Sequence, residues 1–97
     1  MTISFQDIGK HLGTRAEGAT IRQRVETVWT NSKKIVFDFS NVETVSNSFA
    51  DECFAKLVLD FELDEIKNKT TFENATPFIK AVIANAFKER LSQLVVA

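Results

Sequence analysis

The chain has no tyrosine, one cysteine, one proline, one histidine and three glycines in 97 residues. Each scarcity excludes something. The single cysteine, Cys53, cannot close an internal disulfide and suits a reducing compartment. The single histidine, His11, leaves metal sites and catalytic triads without the partners they need. No metal, cofactor or catalytic residue is therefore expected. A net charge of −1 provides no basic face for nucleic acid. No run approaches the roughly 20 apolar residues of a membrane span. The N-terminus, MTISFQDIGK, has neither a basic leader nor a long apolar core. A cytoplasmic protein without a signal peptide is the expectation.

What remains is ordinary globular material. Hydrophobic residues make up 44% and charged residues 26%, as in a soluble domain. The length suits one domain over residues 1–97. Nine phenylalanines enrich the core but name no ligand. No repeat, low-complexity segment or linker interrupts the chain.

Hydrophobic periodicity orders the elements. Thr2 to Ile8 alternates, with Ile3 and Phe5 apolar, which predicts a short strand. Gly9 to Gly18 reads as a glycine-punctuated loop. Thr20 is placed to cap a helix to about Asn31, with Ile21, Val25, Val28 and Trp29 on one face. Lys34 to Phe39 is the clearest strand, and its consecutive large residues predict burial on both faces. Ser46-Asn47-Ser48 closes the following loop. A helix then starts at Phe49, with Cys53, Phe54, Leu57, Val58 and Phe61 on its apolar stripe, and ends in the acidic stretch Asp60 to Glu65. Lys69 to Glu73 reads as a third strand. Thr76-Pro77 starts the last helix, with Ile79, Val82, Ile83, Ala86, Phe87 and Leu91 on its apolar face. The order β-α-β-α-β-α predicts a small α/β layer fold with a mixed, partly parallel sheet. Sites in such sheets form outside the carboxyl ends of the strands, where the Ser40–Ser48 loop falls.

The chemistry-bearing residues each allow two readings. Ser48 fits a helix N-cap with Asp51 three residues on, and it also fits a hydroxyl held out for modification. Asp51 and Glu52 are adjacent, about 100° apart on a helix, so they do not share one acid–base site. They read as first-turn acids favouring the helix dipole, or as charged contacts for a partner. Asp38 either bonds the amides of its loop or lines a pocket. Cys53 reads as a buried, inert thiol. Gly13-Thr14-Arg15 lacks the Gly-Lys-Ser/Thr ending of a phosphate loop. Arg15 and Arg22 pair either within the domain or with a partner.

The segment Asp38-Phe-Ser-Asn-Val-Glu-Thr-Val-Ser-Asn-Ser-Phe-Ala-Asp-Glu52 resembles the central motif of an uncharacterised family of small bacterial STAS-like domains. Leu12-Gly13-Thr14-Arg15, Gly18 and Arg22 match that family's preceding stretch. More distantly, the chain is similar to the anti-sigma-factor antagonists. Those carry a phosphorylatable serine in an Asp-Ser-Ser-Gly motif and dock on an ATP-binding serine kinase. Ser46-Asn47-Ser48-Phe49 stands where that motif stands, with Ser48 at the phosphorylated position. Ser46, Asn47 and Phe49 depart from it.

The resemblance implies a non-enzymatic regulatory module with a protein partner, an ATP-binding kinase-like regulator. Ser48 is then the candidate phosphorylation site, and Ser46, Asn47, Ser48, Asp51, Glu52 and Arg15 are the candidate contacts. The alternative is a small ligand-binding or enzymatic domain using Asp38, Ser48 and Arg15 at the carboxyl edge of the sheet. A homodimer built through exposed phenylalanines is the third reading.

Overall fold

The computed structural model describes residues 1–94. They run β1 (Thr2–Ser4), a 3-10 turn (Phe5–Asp7), β2 (His11–Leu12), α1 (Arg15–Val28), β3 (Ile35–Asp38), β4 (Thr44–Val45) and α2 (Asn47–Cys53). A second 3-10 turn (Ala55–Leu59), α3 (Leu63–Lys69), β5 (Thr70–Glu73) and α4 (Pro77–Leu94) follow. The main sheet has the order β1-β3-β5 and every pairing in it is parallel. β2 and β4 form a separate two-residue parallel pair. This is a small α/β architecture with a parallel main sheet and four α-helices among the described residues.

The register explains how the sheet is covered. Ile3, Phe37 and Phe72 lie in one row, and Ile35 pairs with Thr70 on the same face. On the other face lie Thr2, Val36 and Thr71, then Ser4, Asp38 and Glu73. The first face is buried at Ile3, Ile35, Phe37 and Thr70. Nothing on the second face is fully buried, and Val36 is only half-buried. The expectation of a strand buried on both faces is therefore corrected. Apolar residues of all four helices join the first face in a single core. Val36 is flanked by two threonines, so its row can face water.

Phenylalanine builds that core. Phe54 sits among Phe5, Phe37, Phe39, Phe49 and Phe72, with ring centroids between 5.0 and 6.2 Å. Edge-to-face and tilted pairs of this kind add to the area they bury. Tyrosine in the same places would bring hydroxyls needing partners. Among the described residues no buried side-chain polar atom lacks one.

Several element boundaries differ from the sequence reading, among them β1, which stops at Ser4 and turns into 3-10 geometry at Phe5–Asp7 instead of running to Ile8. α1 begins at Arg15, because Thr14 accepts the Glu17 amide at 3.2 Å and donates to Glu17 Oε1 at 2.9 Å. Thr14 is thus the N-cap, in the Thr-x-x-Glu spacing of a capping box, and Gly18 consequently lies inside the helix rather than in a loop. The helix after β4 stops at Cys53 and tightens to 3-10 geometry. The acidic stretch does not end that helix but begins α3, with Asp64 and Glu65 in its first turn. Trp29 fixes this segment by stacking on Phe61 at 4.2 Å and donating its indole N–H to Glu65 at 2.7 Å. Thr76 does cap α4, accepting from the Ile79 amide. Of the six apolar residues expected on its face, Ile79, Ile83 and Ala86 are buried. Val82, Phe87 and Leu91 are half-buried.

Candidate functional site

The two sequence segments that carry the motif lock onto each other across α1 and α2. Gly18 makes the approach possible. A Cβ there would stand 3.0 Å from the Phe49 carbonyl oxygen and 3.2 Å from Glu52 Cβ. With the helices this close, the charges on both meet. Arg22 donates to Glu52 Oε2 at 2.7 Å, Lys56 donates to Oε1 at 2.9 Å, and Arg15 reaches Oε1 at 3.3 Å. Glu52 is only 7% exposed, so these partners replace its water. Arg15 also donates to Asp51 at 2.9 Å, and Arg90 of α4 forks onto both Asp51 oxygens. Two carboxylates and four cations thus tie α1, α2 and α4 together.

Burial by itself would raise both carboxyl pKa values. At Asp51 the bonds from Arg90 and Arg15 outweigh it and hold the group below the usual aspartate range. At Glu52 the bonds from Lys56 and Arg22 do the same. Neither acid lies in the first turn of α2. Their account as dipole-stabilising first-turn acids is replaced by the ion cluster. Arg15 and Arg22 find their partners within the chain.

The serines are also rearranged. Ser46, not Ser48, is the N-cap of α2. Its hydroxyl accepts the Phe49 amide at 3.0 Å and donates to the Gly13 carbonyl at 2.9 Å, tying α2 to the loop before α1. The cap position is set by β4. Ser46 N donates to the Leu12 carbonyl at 2.8 Å, continuing the β2–β4 pairing, so the helix follows at once. Ser48 falls one residue into the helix. It is half-buried, and its hydroxyl has no hydrogen bond among the described residues. Asn47 is exposed beside it. A shallow depression of about 170 Å³ is lined by Arg15, Asn47, Ser48, Asp51, Arg90 and neighbouring residues of α4. Arg90 lies 39 residues from Asp51, and no sequence signal connects them.

Asp38 is elsewhere. Its Oδ1 accepts from the Ser40 amide at 3.0 Å, the Ser40 hydroxyl at 2.8 Å and the Asn74 amide group at 3.0 Å. The Asn74 bond, then those from Ser40, hold the carboxyl below its ordinary range. Asp38 thus staples the loops leaving β3 and β5, the loop-bonding reading of the sequence. Asn41 and Asn74 in those loops take positive φ angles of 63° and 58°, which asparagine tolerates better than most residues. Asp38 does not line the depression that holds Arg15 and Ser48. The three residues of the enzymatic alternative are not brought together.

Cys53 is fully buried, and burial pushes its thiol well above the ordinary value. His11 is exposed, with its ring against Thr44 at 2.8 Å and Glu43 at 3.6 Å. Among the described residues no group of three or more metal-ligating side chains converges. No helix there is long and apolar enough to cross a membrane.

No curated protein and no solved structure matches the chain. A family model does match it, from residue 17 to residue 80. That span contains Gly18, Arg22 and the Asp51–Glu52 pair, which join α1 to α2, as well as Asp38 and the serines. The chain belongs to the family described as STAS-like domain of unknown function (DUF4325).

Proposed function

We propose that the protein is a non-enzymatic regulatory module of the cytoplasm that docks on an ATP-binding, kinase-like protein partner. The docking surface is the Ser40–Ser48 segment, which runs through β4 into the first turn of α2, and Ser48 is its phosphorylation switch. One observation carries the reading. Ser46 takes the cap, so the Ser48 hydroxyl is left without a structural bond at a half-buried position. A cap serine would be tied to the backbone, whereas Ser48 can be modified without unmaking the helix.

The ion cluster supports the same reading. A phosphate brings about −1.5 to −2 charges, and Asp51 alone would repel it. Asp51 is already paired with Arg15 and Arg90, however. Arg15 keeps half of its side chain exposed and lines the same depression as Ser48. A phosphate on Ser48 therefore meets available cation rather than bare carboxylate. Modification then changes the docking surface and leaves the fold in place.

The test uses the full chain and a purified ATP-binding, kinase-like protein from the same host. Ser48→Ala is expected to bind as the wild type does, and Ser48→Asp at least tenfold more weakly. Host extract with ATP is expected to place phosphate on Ser48, read by mass spectrometry. Equal binding by Ser48→Asp, with no label on Ser48, would remove the switch.

A further inference from the structure

On the opposite flank of α4 the surface has a different character. A trough of about 620 Å³ runs between α3, β5 and α4. Leu63, Phe72, Phe87 and Leu91 form its floor, each half-buried, and Ala84, which also lines it, is exposed. A second depression of about 270 Å³ continues it past Phe72, Ala84 and Phe87 to Lys80. From Lys80 to Leu91 the trough follows roughly 16 Å of α4 at about 1.5 Å per residue. An apolar groove along a helix is the shape that takes the apolar face of a partner helix.

The rim is charged with one sign. Lys67, Lys80 and Lys88 line the trough and no acidic residue does. All three lysines are exposed, and none forms an ion pair among the described residues.

We infer that this trough docks an acidic amphipathic helix of a partner protein, with apolar residues on the Leu63–Phe72–Phe87–Leu91 floor and carboxylates on Lys67, Lys80 and Lys88. The dimensions fit the helix-in-groove mode, in which apolar anchors recur at i, i+3/i+4 and i+7 over about three turns. The spread of the lysines selects the occupant. Lys80 and Lys88 stand roughly 12 Å apart along α4, and Lys67 rises from α3. A fatty acid carries one carboxylate and can meet one of them. A helix with acidic flanks meets all three.

This surface is distinct from the one proposed to carry Ser48. The residues of α4 beside Ser48 are Glu89, Arg90 and Gln93, and those of the trough are Lys80, Ala84, Phe87, Lys88 and Leu91. At 3.6 residues per turn Glu89 and Gln93 lie on one side of the buried Ile79–Ile83–Ala86 stripe, Arg90 continues the stripe itself, and the trough residues lie on the other side. The α4 wall of the trough, from Ile83 onward, also lies beyond the family match.

The test is a display library of 14-residue helices selected on the immobilised full chain. Leu, Ile, Val and Phe are varied at four anchor positions, and the flanks are either all Glu or all Lys. Recovery of Glu-flanked over Lys-flanked sequences by at least tenfold is expected. Ala84→Glu, at an exposed helical position where glutamate is well tolerated, fills the floor with a carboxylate and is expected to abolish recovery. Lys67→Glu with Lys88→Glu is expected to reverse the preference, with melts confirming both variants folded. Ser48→Asp is expected to change nothing, which separates this groove from the switch surface. No recovery, equal recovery of both flanks, or recovery that survives Ala84→Glu overturns the inference. So does saturable binding of palmitate without helix recovery, which assigns the trough to a monocarboxylate. Concentration-dependent dimerisation abolished by Ala84→Glu overturns it in favour of a second copy of the chain.

Discussion

Arg22 grips Glu52 twice, with Nη2 on the carboxylate Oε2 at 2.7 Å and Nε on the backbone carbonyl oxygen at 2.7 Å. The two residues are 30 positions apart, and the contact fixes both the rotation and the height of α2 against α1. Removing the carboxylate leaves Arg22, at 18% side-chain exposure, with the Glu52 backbone carbonyl and a longer contact to Glu26 at 3.5 Å. Breaking a buried pair by deleting one partner costs about 3–5 kcal/mol. Glu52→Ala is expected near the lower end, because Lys56 and Arg15 can turn to water. Urea unfolding measures it. A midpoint equal to the wild type would mean that the cluster does not hold the helices together.

Gly18 sets the distance over which that grip works. Alanine is favoured over glycine in a helix by about 1 kcal/mol. Here the added methyl would press the Phe49 carbonyl at 3.0 Å and the Cys53 amide nitrogen at 3.3 Å, both backbone atoms that side-chain rotation cannot move. Overpacking of this kind costs about 1–3 kcal/mol. Gly18→Ala is therefore expected to lower the melting temperature despite its better helix propensity, and Gly18→Val to lower it further. A rise in melting temperature for Gly18→Ala would show that α1 and α2 are not in close contact.

The same cluster makes stability depend on acid. Asp51 and Glu52 have lower pKa values in the folded chain than the ordinary 3.8 and 4.5. The unfolded chain therefore takes up protons first as pH falls, and stability declines. Their contribution is full above about pH 4.5, begins to fall near the ordinary values and is lost through the lower folded values. Asp51→Asn with Glu52→Gln is expected to be less stable at neutral pH and to show a shallower loss on acidification. Melting curves taken at successive pH values check this. Parallel pH profiles for wild type and variant would place the acid-sensitive groups elsewhere.

Much of this fold is legible along the chain, and the failures have physical reasons. Thr76-Pro77 and the Ile35–Phe37 run announce α4 and β3, because capping and strand burial are local signals. The beginning of α1 is local too, in the box Thr14-x-x-Glu17, but Gly18 reads as a breaker until its neighbour Phe49 is known. No proline or glycine separates Cys53 from Leu63, so apolar periodicity runs on through the turn at Ala55–Leu59. β2 and β4 have two residues each, too few to show a period. The site divides in the same way. Ser46, Ser48, Asp51, Glu52 and Arg15 are visible as residues of interest, while the pairing of Asp51 with Arg90 exists only in three dimensions.

Ser46 and Ser48 are the sharpest case, because two serines two residues apart compete for one cap. The hydroxyl of Ser46 makes two bonds, accepting from Phe49 N and donating to the Gly13 carbonyl. Loss of a serine cap costs about 0.5–2 kcal/mol. Ser46→Ala is expected at the upper part of that range, since it also frees the Gly13 loop. Ser46→Asp restores the cap acceptor but cannot donate when ionised, so partial rescue is expected. Ser48→Ala removes no bond and places a strong helix former in the first turn, so stability is expected to stay within about 0.5 kcal/mol of wild type. Ser48→Asp is expected to be equally tolerated, as an acid near the positive end of the helix. Equilibrium unfolding of the four variants ranks them. If Ser48→Ala falls as far as Ser46→Ala, the Ser48 hydroxyl holds the helix, and the basis for treating it as a free, modifiable group is gone.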